Sequence, residues 1–342
     1  MTTLSITSKR LPAWAPWATA AAALVLSALT LTLTGRLTPV RLGLTGAAAF
    51  AVALTLISGL IEGARWAKDR LATIAITSAF IAALIPLISL VWIVLQRGSE
   101  RFGWVFLNTD MTGVYGAMVE GGIYHAIIGT VYVTAIAAAI AIPLGILTAI
   151  YLVEYGRGPL ARAVTVLVDV MTGIPSIVAG LFAFAVFLLV FGPAYKSAVI
   201  GGVGLAVLMT PVVVRSVEEM LRLVPNELRE AAYALGVPKW LTIIKVVLRT
   251  AIAGITTGIM IAIARVIGET APLLVTVGFA SGLNWNAFEG RIATLPVFVY
   301  RQYAQGGASI DRAWAAALTL IAIVMLLNLA ARAVSKYFSP RS

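Results

Sequence analysis

The chain has 342 residues, 61% of them apolar and 11% charged, with a formal net charge of +11 and no cysteine. With a mean hydropathy of +0.99, this composition excludes a soluble globule and marks an integral membrane protein. The missing cysteines exclude disulfides, thiolate metal sites and cysteine nucleophiles, and the basic residues lie between apolar runs instead of on a nucleic-acid-binding domain.

Crossing roughly 30 Å of hydrocarbon takes about 20 residues. The runs predicted to do so are Leu11–Gly35, Leu42–Ile61, Leu71–Gln96, Gly121–Val153, Val170–Tyr195, Ser197–Val214, Thr250–Ala264 and Ala313–Ala331. That predicts an all-α polytopic protein of eight spans. The first run is too long for a signal h-region and is read as retained. Both termini are assigned to the cytoplasm. This orientation places sixteen Lys and Arg inside, including Lys9, Arg10, Arg65, Lys68, Arg70, Arg157, Arg162 and those from Arg215 to Arg249, with Arg332, Lys336 and Arg341. It leaves eight outside, namely Arg36, Arg41, Arg97, Arg101, Lys196, Arg291, Arg301 and Arg312, as the positive-inside rule prefers.

Residues 1–61 read as a two-helix hairpin that turns at Gly35, Arg36 and Pro39, with no polar residue marked for chemistry. A charged cytoplasmic linker, 62–70, leads to the remaining domain, 71–336. The segment Arg97–Gly122 contains GVYGAMVEGGIY and reads as an outer loop or interfacial helix. His125 is the only histidine and has no nearby ligand partner, so an interfacial structural role is expected. The fourth span is rich in small residues, which let helices approach closely in lipid, and Pro143 is expected to bend it.

The fifth span begins VDVMTGIPSIVAGLFAF. On a continuous helix Asp169 and Ser176 share a face with Thr172 near it. Two readings stand: a polar patch on a cavity-lining helix, or a capping and packing cluster at a helix end. From Arg215 to Arg249 the chain is too charged to span and is read as a cytoplasmic loop. Within it a short helix is predicted over Glu227–Leu235, stopped by Gly236 with Pro238 just beyond. Ala231, Ala232 and Ala234 give this helix a low profile, and Glu227, Arg229 and Glu230 supply charge for a partner. An ordinary amphipathic loop on the membrane surface is the alternative.

Glu230-Ala231-Ala232 with Gly236 four residues later, followed by IIKVVL, resembles the EAA loop of binding-protein-dependent ABC importer permeases. In that family the loop is a coupling helix held by a cytoplasmic ATPase. The family usually places a proline after the leucine, where this chain has Arg249.

The following helix carries Arg265 and Glu269 at i, i+4, with Gly268 between them and Pro272 one turn on. The spacing allows a structural ion pair. It also allows an oxyanion site, in which Arg265 offers its planar fork and Glu269 orients and partly neutralises it. RVIGETAPLL, with GIPSIVAGLFAF, IPLGILTAIYLVEYG and TLPVFVYRQYA, resembles the A-type permease subunits of phosphate-specific ABC importers. The resemblance covers residues 71–336 and implies a six-helix, MetI-like permease core preceded by an extra N-terminal two-helix hairpin. It implies the bacterial cytoplasmic membrane, phosphate as cargo, and a second related permease subunit as heterodimer partner. It also implies an extracytoplasmic phosphate-binding protein and a cytoplasmic ATPase dimer that uses ATP and Mg, with no cofactor on this chain. Arg265, Glu269, Thr172, Ser176 and Asp169 would line the path, and the outer segment Ser281–Asp311, with Asn284, Trp285 and Arg291, would face the binding protein.

The same residues fit a permease for sulfate, molybdate or phosphonate. A stand-alone secondary transporter would use inverted repeats and midplane carboxylates, and no convincing repeat is seen. No G-x-x-x-x-G-K-[ST], H-E-x-x-H or G-x-S-x-G motif occurs, which argues against an ATPase or an intramembrane enzyme.

Overall fold

The computed structural model of the chain describes residues 10–115, 118–192 and 195–338, the side chains of 335–338 excepted. Lys9, Lys336 and Arg341, weighed above for orientation, lie outside the described side chains, as do Gly116 and Ala117 of the outer segment. The chain forms two compact units, Met1–Trp92 and Ile93–Ser342.

In the first unit, α1 (Ala15–Leu33) and α2 (Pro39–Ile61) make the predicted hairpin. Gly35 ends α1 with φ at 63°, and the N–H groups of Gly35 and Arg36 donate to the carbonyls of Thr32 and Leu31. A residue with a Cβ would resist that left-handed turn. α2 opens on Pro39, whose missing N–H costs nothing in a first turn, while the Thr38 hydroxyl accepts from the Arg41 N–H. Gly46 lets the two helices touch, since a Cβ there would lie 2.7 Å from Leu24 Cδ2.

α3 (Ala64–Ser99) starts inside the predicted linker, which shrinks from 62–70 to Glu62 and Gly63. A hydropathy window sees only the hydrocarbon-length part of a helix, and the charged first turns continue it into the interface. The buried Glu62 carboxylate accepts from Arg70 Nε at 2.7 Å and Nη2 at 2.9 Å. It also accepts from Ser58 Oγ at 2.7 Å and the Leu11 N–H at 2.7 Å. The Arg70 bond above all holds its pKa down at about 2 against the effect of burial.

In the second unit, α4 (Trp104–Asn108) precedes α5 (Tyr124–Tyr155), α6 (Gly158–Thr172), α7 (Ser176–Phe191) and α8 (Ala198–Arg222). These are followed by α9 (Asn226–Ala234), α10 (Lys239–Val266), α11 (Ala271–Thr276), α12 (Leu295–Gln305) and α13 (Ser309–Phe338). Among the described residues, seven helices are long and apolar enough to cross a membrane. The predicted fifth span is instead the pair α6 and α7, bent by 109°. Pro175 disfavours the helical conformation at Ile174 and cannot donate a helical hydrogen bond, so the helix ends at Gly173. The all-helical architecture agrees with the sequence reading.

α8 is the axis of this unit and packs on α5, α7 and α10. Glycines bring the helices together: a Cβ on Gly202 of α8 would lie 2.4 Å from Ile136 Cγ2 of α5, and one on Gly145 of α5 would lie 2.6 Å from Val213 Cγ1 of α8. On the other side Gly258 of α10 meets Ser216, where a Cβ would lie 2.6 Å from Cβ of the serine. Pro143 and Pro211 are carried inside α5 and α8 without ending them. α8 also runs to Arg222, two turns beyond the predicted end at Val214, so the polar connection is far shorter than 215–249.

His125, in the first turn of α5, is packed inside the protein. It is 1% exposed, with its ring edge-on to Phe279 and Phe298 at centroid distances of 6.4 and 5.8 Å. The TLPVFV stretch is likewise core, because Leu295, Pro296, Val297 and Phe298 are buried.

Two outcomes are expected. Gly202→Val forces a branched side chain into Ile136, so the purified protein should lose several degrees of Tm by order of magnitude, measured by a thermal-shift assay in detergent; an unchanged Tm contradicts the close packing. The Glu62 carboxyl has a folded pKa below its unfolded value. Its stabilisation of the hairpin is therefore complete above the usual carboxylate range and is lost as pH falls toward about 2. Hydrogen exchange of α1 and α2 should stay slow at pH 5, and Glu62→Gln should speed it there.

Candidate functional site

At mid-length of α8 a cavity of about 200 Å³ is lined by Thr172, Ile174 and Ser176 from the α6/α7 break, Leu208 and Pro211 from α8, Arg265 from the end of α10 and Glu269 from the turn after it. Two interrupted helices make it. α6 ends at Thr172 and α7 begins at Ser176, while α10 ends at Val266 and α11 does not begin until Ala271. Gly180 of α7 holds the two breaks together, because a Cβ there would lie 2.5 Å from Pro272 Cα of α11. Non-helical backbone at this depth is tolerated only where protein or a wet cavity satisfies it.

Arg265 and Glu269 face this cavity, yet no salt bridge joins them among the described residues. The i, i+4 geometry is lost because the helix ends between them, with Gly268 in the turn and the Glu269 N–H donating to the Val266 carbonyl at 3.1 Å. Arg265 is exposed on the surface of this chain, at the level of Pro211. A guanidinium there, lacking a carboxylate partner, requires water, an anion or a second protein surface. The Thr172 hydroxyl donates to the Val168 carbonyl at 3.0 Å, which leaves its oxygen free to accept.

Asp169 is not with them. The predicted shared face of Asp169, Thr172 and Ser176 assumed one helix, and the break at Gly173–Pro175 separates Asp169 from Ser176. Its exposed carboxylate pairs instead with Arg215. Arg215 also meets Glu218 at 2.7 Å, and Glu218 meets Arg222 at 2.7 Å, so a charged chain links α6 to the end of α8.

Beyond that end lies α9. Gly236, with φ at 74°, stops it, and the Gly236 and Val237 N–H groups donate to the carbonyls of Tyr233 and Ala232. Glu227, Glu230 and Ala231 are exposed, whereas Ala232 is buried. Arg229, expected to present charge outward, is turned inward. Its guanidinium bonds Glu154 of α5 at 2.9 Å, with the two side chains only 12% and 5% exposed. It also donates to the carbonyls of Leu221 and Val224 at 3.0 and 2.6 Å. Lys239, at the start of α10, donates to the Glu154 carbonyl and lies 4.6 Å above the Tyr155 ring. Glu154, for which the sequence reading had no role, thus seats α9 and α10 on α5. The lone carboxylate closing the apolar run at YLVEYG was the available signal.

Arg249, the departure from the loop pattern, sits exposed on α10 without breaking it. Both α5 and α10 contain a π-helical turn beside α9, at Tyr151–Tyr155 and Ile243–Val247.

A helical bundle with a small polar cavity at mid-length of its central helix, built from broken helices, and a clamped short helix at one end is the architecture of a membrane permease. The chain belongs to the family of binding-protein-dependent transport system inner membrane components, whose model matches residues 141–342. It is 48% identical over 268 residues to phosphate transport system permease protein PstA 1 of Mycobacterium tuberculosis, covering 77% of this chain and 87% of that one. The PstA protein of Pasteurella multocida is 38% identical over 261 residues, covering 75% and 91%. Among solved structures, a chain of a bacterial alginate ABC transporter shares the fold with a TM-score of 0.56 at 16% identity, covering 80% of this chain and 97% of that one. A chain of the MetNI methionine ABC transporter does so with a TM-score of 0.51 at 20% identity, covering 64% and 95%.

Removing one partner of a buried pair costs about 3 kcal/mol, so Glu154→Gln should free α9 and speed amide hydrogen exchange over 226–237 by roughly a hundredfold. Unchanged protection would show that the clamp does not hold the helix.

Proposed function

We propose that the chain is a permease subunit of an ATP-driven phosphate importer, forming half of the path and containing no ATPase. Arg265 carries this reading, as a guanidinium at mid-length of the bundle with no carboxylate partner among the described residues. The identity to phosphate permeases supports the choice of anion. A related second permease faces the Arg265 surface, a phosphate-binding protein delivers cargo from outside, and a cytoplasmic ATPase dimer working with ATP and Mg grips α9. Both termini are cytoplasmic in the bacterial inner membrane, following the positive-inside count.

Arg265 offers its fork to the phosphate oxygens. Glu269 lies in the same cavity and can only accept a hydrogen bond when ionised, as can the free lone pairs of Thr172. Phosphate at neutral pH retains a P–OH to donate, whereas sulfate has none and meets an unpaired carboxylate. This chemistry favours phosphate over sulfate. Exposed Glu227, Glu230 and Ala231 suit contact with the ATPase, while Arg229 and Gly236 hold the shape of the helix.

Radiolabelled phosphate uptake in vesicles holding the co-purified subunits, with sulfate as competitor, tests this. Arg265→Gln should abolish uptake in an assembled complex, and Glu269→Gln should let sulfate compete. Near-normal uptake in the arginine variant overturns the pathway role, and wild-type transport of sulfate in place of phosphate overturns the cargo.

A further inference from the structure

A second cationic cluster lies at the opposite end of the unit from α9, away from the Arg265 cavity. Gly278, with φ at 73°, forms its floor. A Cβ built there would lie 3.2 Å from Lys196 Cδ and 3.1 Å from Arg291 Cγ, so two basic side chains cross over one glycine. The guanidinium of Arg301, on α12, stands 5.3 Å over the ring of the next residue, Phe279. None of the three makes a salt bridge among the described residues, all five of whose ion pairs lie elsewhere. Burial, and then the charges of Arg291 and Arg301, pull the Lys196 ammonium below its ordinary value.

Three like charges do not gather by chance of packing, because the loop that brings Arg291 here is fixed at several points. Asn284 Nδ2 donates to the carbonyls of Glu289 and Arg291 at 2.8 and 3.3 Å. Asn286 Oδ1 accepts from the Phe288 N–H at 2.9 Å. Tyr132 of α5 donates to the Trp285 carbonyl at 3.2 Å, and Val199 of α8 donates to that of Ala287 at 3.1 Å. Tyr195 donates to the Phe288 carbonyl. The loop that carries Arg291 is thus seated beside Lys196 before any ligand arrives, and the repulsion among the cations is relieved when an anion enters.

We propose that Lys196, Arg291 and Arg301 form an outer receiving site for a small tetrahedral oxyanion, occupied before the anion reaches Arg265. A small ion fits better than an acidic protein surface for two reasons. Lys196 is half-buried, and the same loop exposes the Trp285 and Phe288 rings beside the Glu289 carboxylate, so an acidic partner surface meets apolar rings and a like charge there. The Lys196 ammonium and Arg291 guanidinium over Gly278, with the Arg301 guanidinium over the adjoining Phe279, offer donors that suit the oxygens of a phosphate-like ion. The inference rests on the transport reading above for its direction, from outside to inside.

Equilibrium binding of radiolabelled inorganic phosphate to the full chain, co-purified with its partner subunits in zwitterionic nanodiscs, tests it. An Arg265→Gln background removes the deeper cavity's contribution. Lys196→Gln and Arg291→Gln should each weaken binding by roughly tenfold or more, and Lys196→Arg should keep it, with capture of the phosphate-loaded binding protein nearly unchanged. Competition by sulfate as strong as by phosphate leaves the oxyanion site standing and counts only against phosphate selectivity. Phosphate affinity unchanged by the charge removals overturns the site. So does loss of binding-protein capture with phosphate affinity intact, which would make the cluster a docking patch. Loss of phosphate binding in phosphatidylglycerol nanodiscs would assign it to lipid headgroups and likewise overturn it.

Discussion

Helices in hydrocarbon gain no hydrophobic free energy by meeting, so their contact depends on how closely backbones approach. Here that approach is made along α8, where Gly202, Val213 and Ser216 meet Ile136, Gly145 and Gly258 with no room for another carbon. The helices around the cavity are placed by this axis. α5 on one side and α10 on the other inherit their rotation from it, and with that rotation the direction in which Glu154 and Arg265 point. The polar groups are affordable because the surrounding contacts are dry and close.

Charge is used in three distinct ways around this axis. Arg312, 1% exposed, donates four hydrogen bonds, to Gln302, Ser309 and the carbonyls of Met118 and Glu120, so it is a structural fastener. Arg229 and Glu154 are paired and nearly buried, which locks one short helix to a long one. Arg265, Lys196, Arg291 and Arg301 have no carboxylate partner among the described residues. Arg229 and Arg312 thus serve the scaffold, and the anion route proposed above draws on cations left without a carboxylate.

Much of the fold was legible because hydrocarbon thickness and apolar run length are the same constraint. The hairpin turn at Gly35 and Pro39 and the stop at Gly236 were legible too, since each depends on backbone chemistry written in one or two residues. Polar helix ends were not. Arg215, Glu218 and Arg222 continue α8 as an i, i+3, i+7 charged stripe that a hydropathy criterion discards. Thr172, Ser176, Arg265 and Glu269 were named from the sequence and share a cavity, but the geometry assumed for them was that of unbroken helices. TGIPS held the signal, as Gly and Pro flank the break. Glu154 escaped because its partner lies 75 residues away in the sequence, and no local pattern reports that distance.

The single helix from Lys239 to Val266 carries a mechanical consequence. At 1.5 Å per residue, about 39 Å separates Lys239 from Arg265, so a tilt of roughly 5° about the α9 end moves the guanidinium by about 3.4 Å, longer than a hydrogen bond. The π-turn at Ile243–Val247 sits near the fulcrum of this arm, where a small change of winding has the longest lever to act upon.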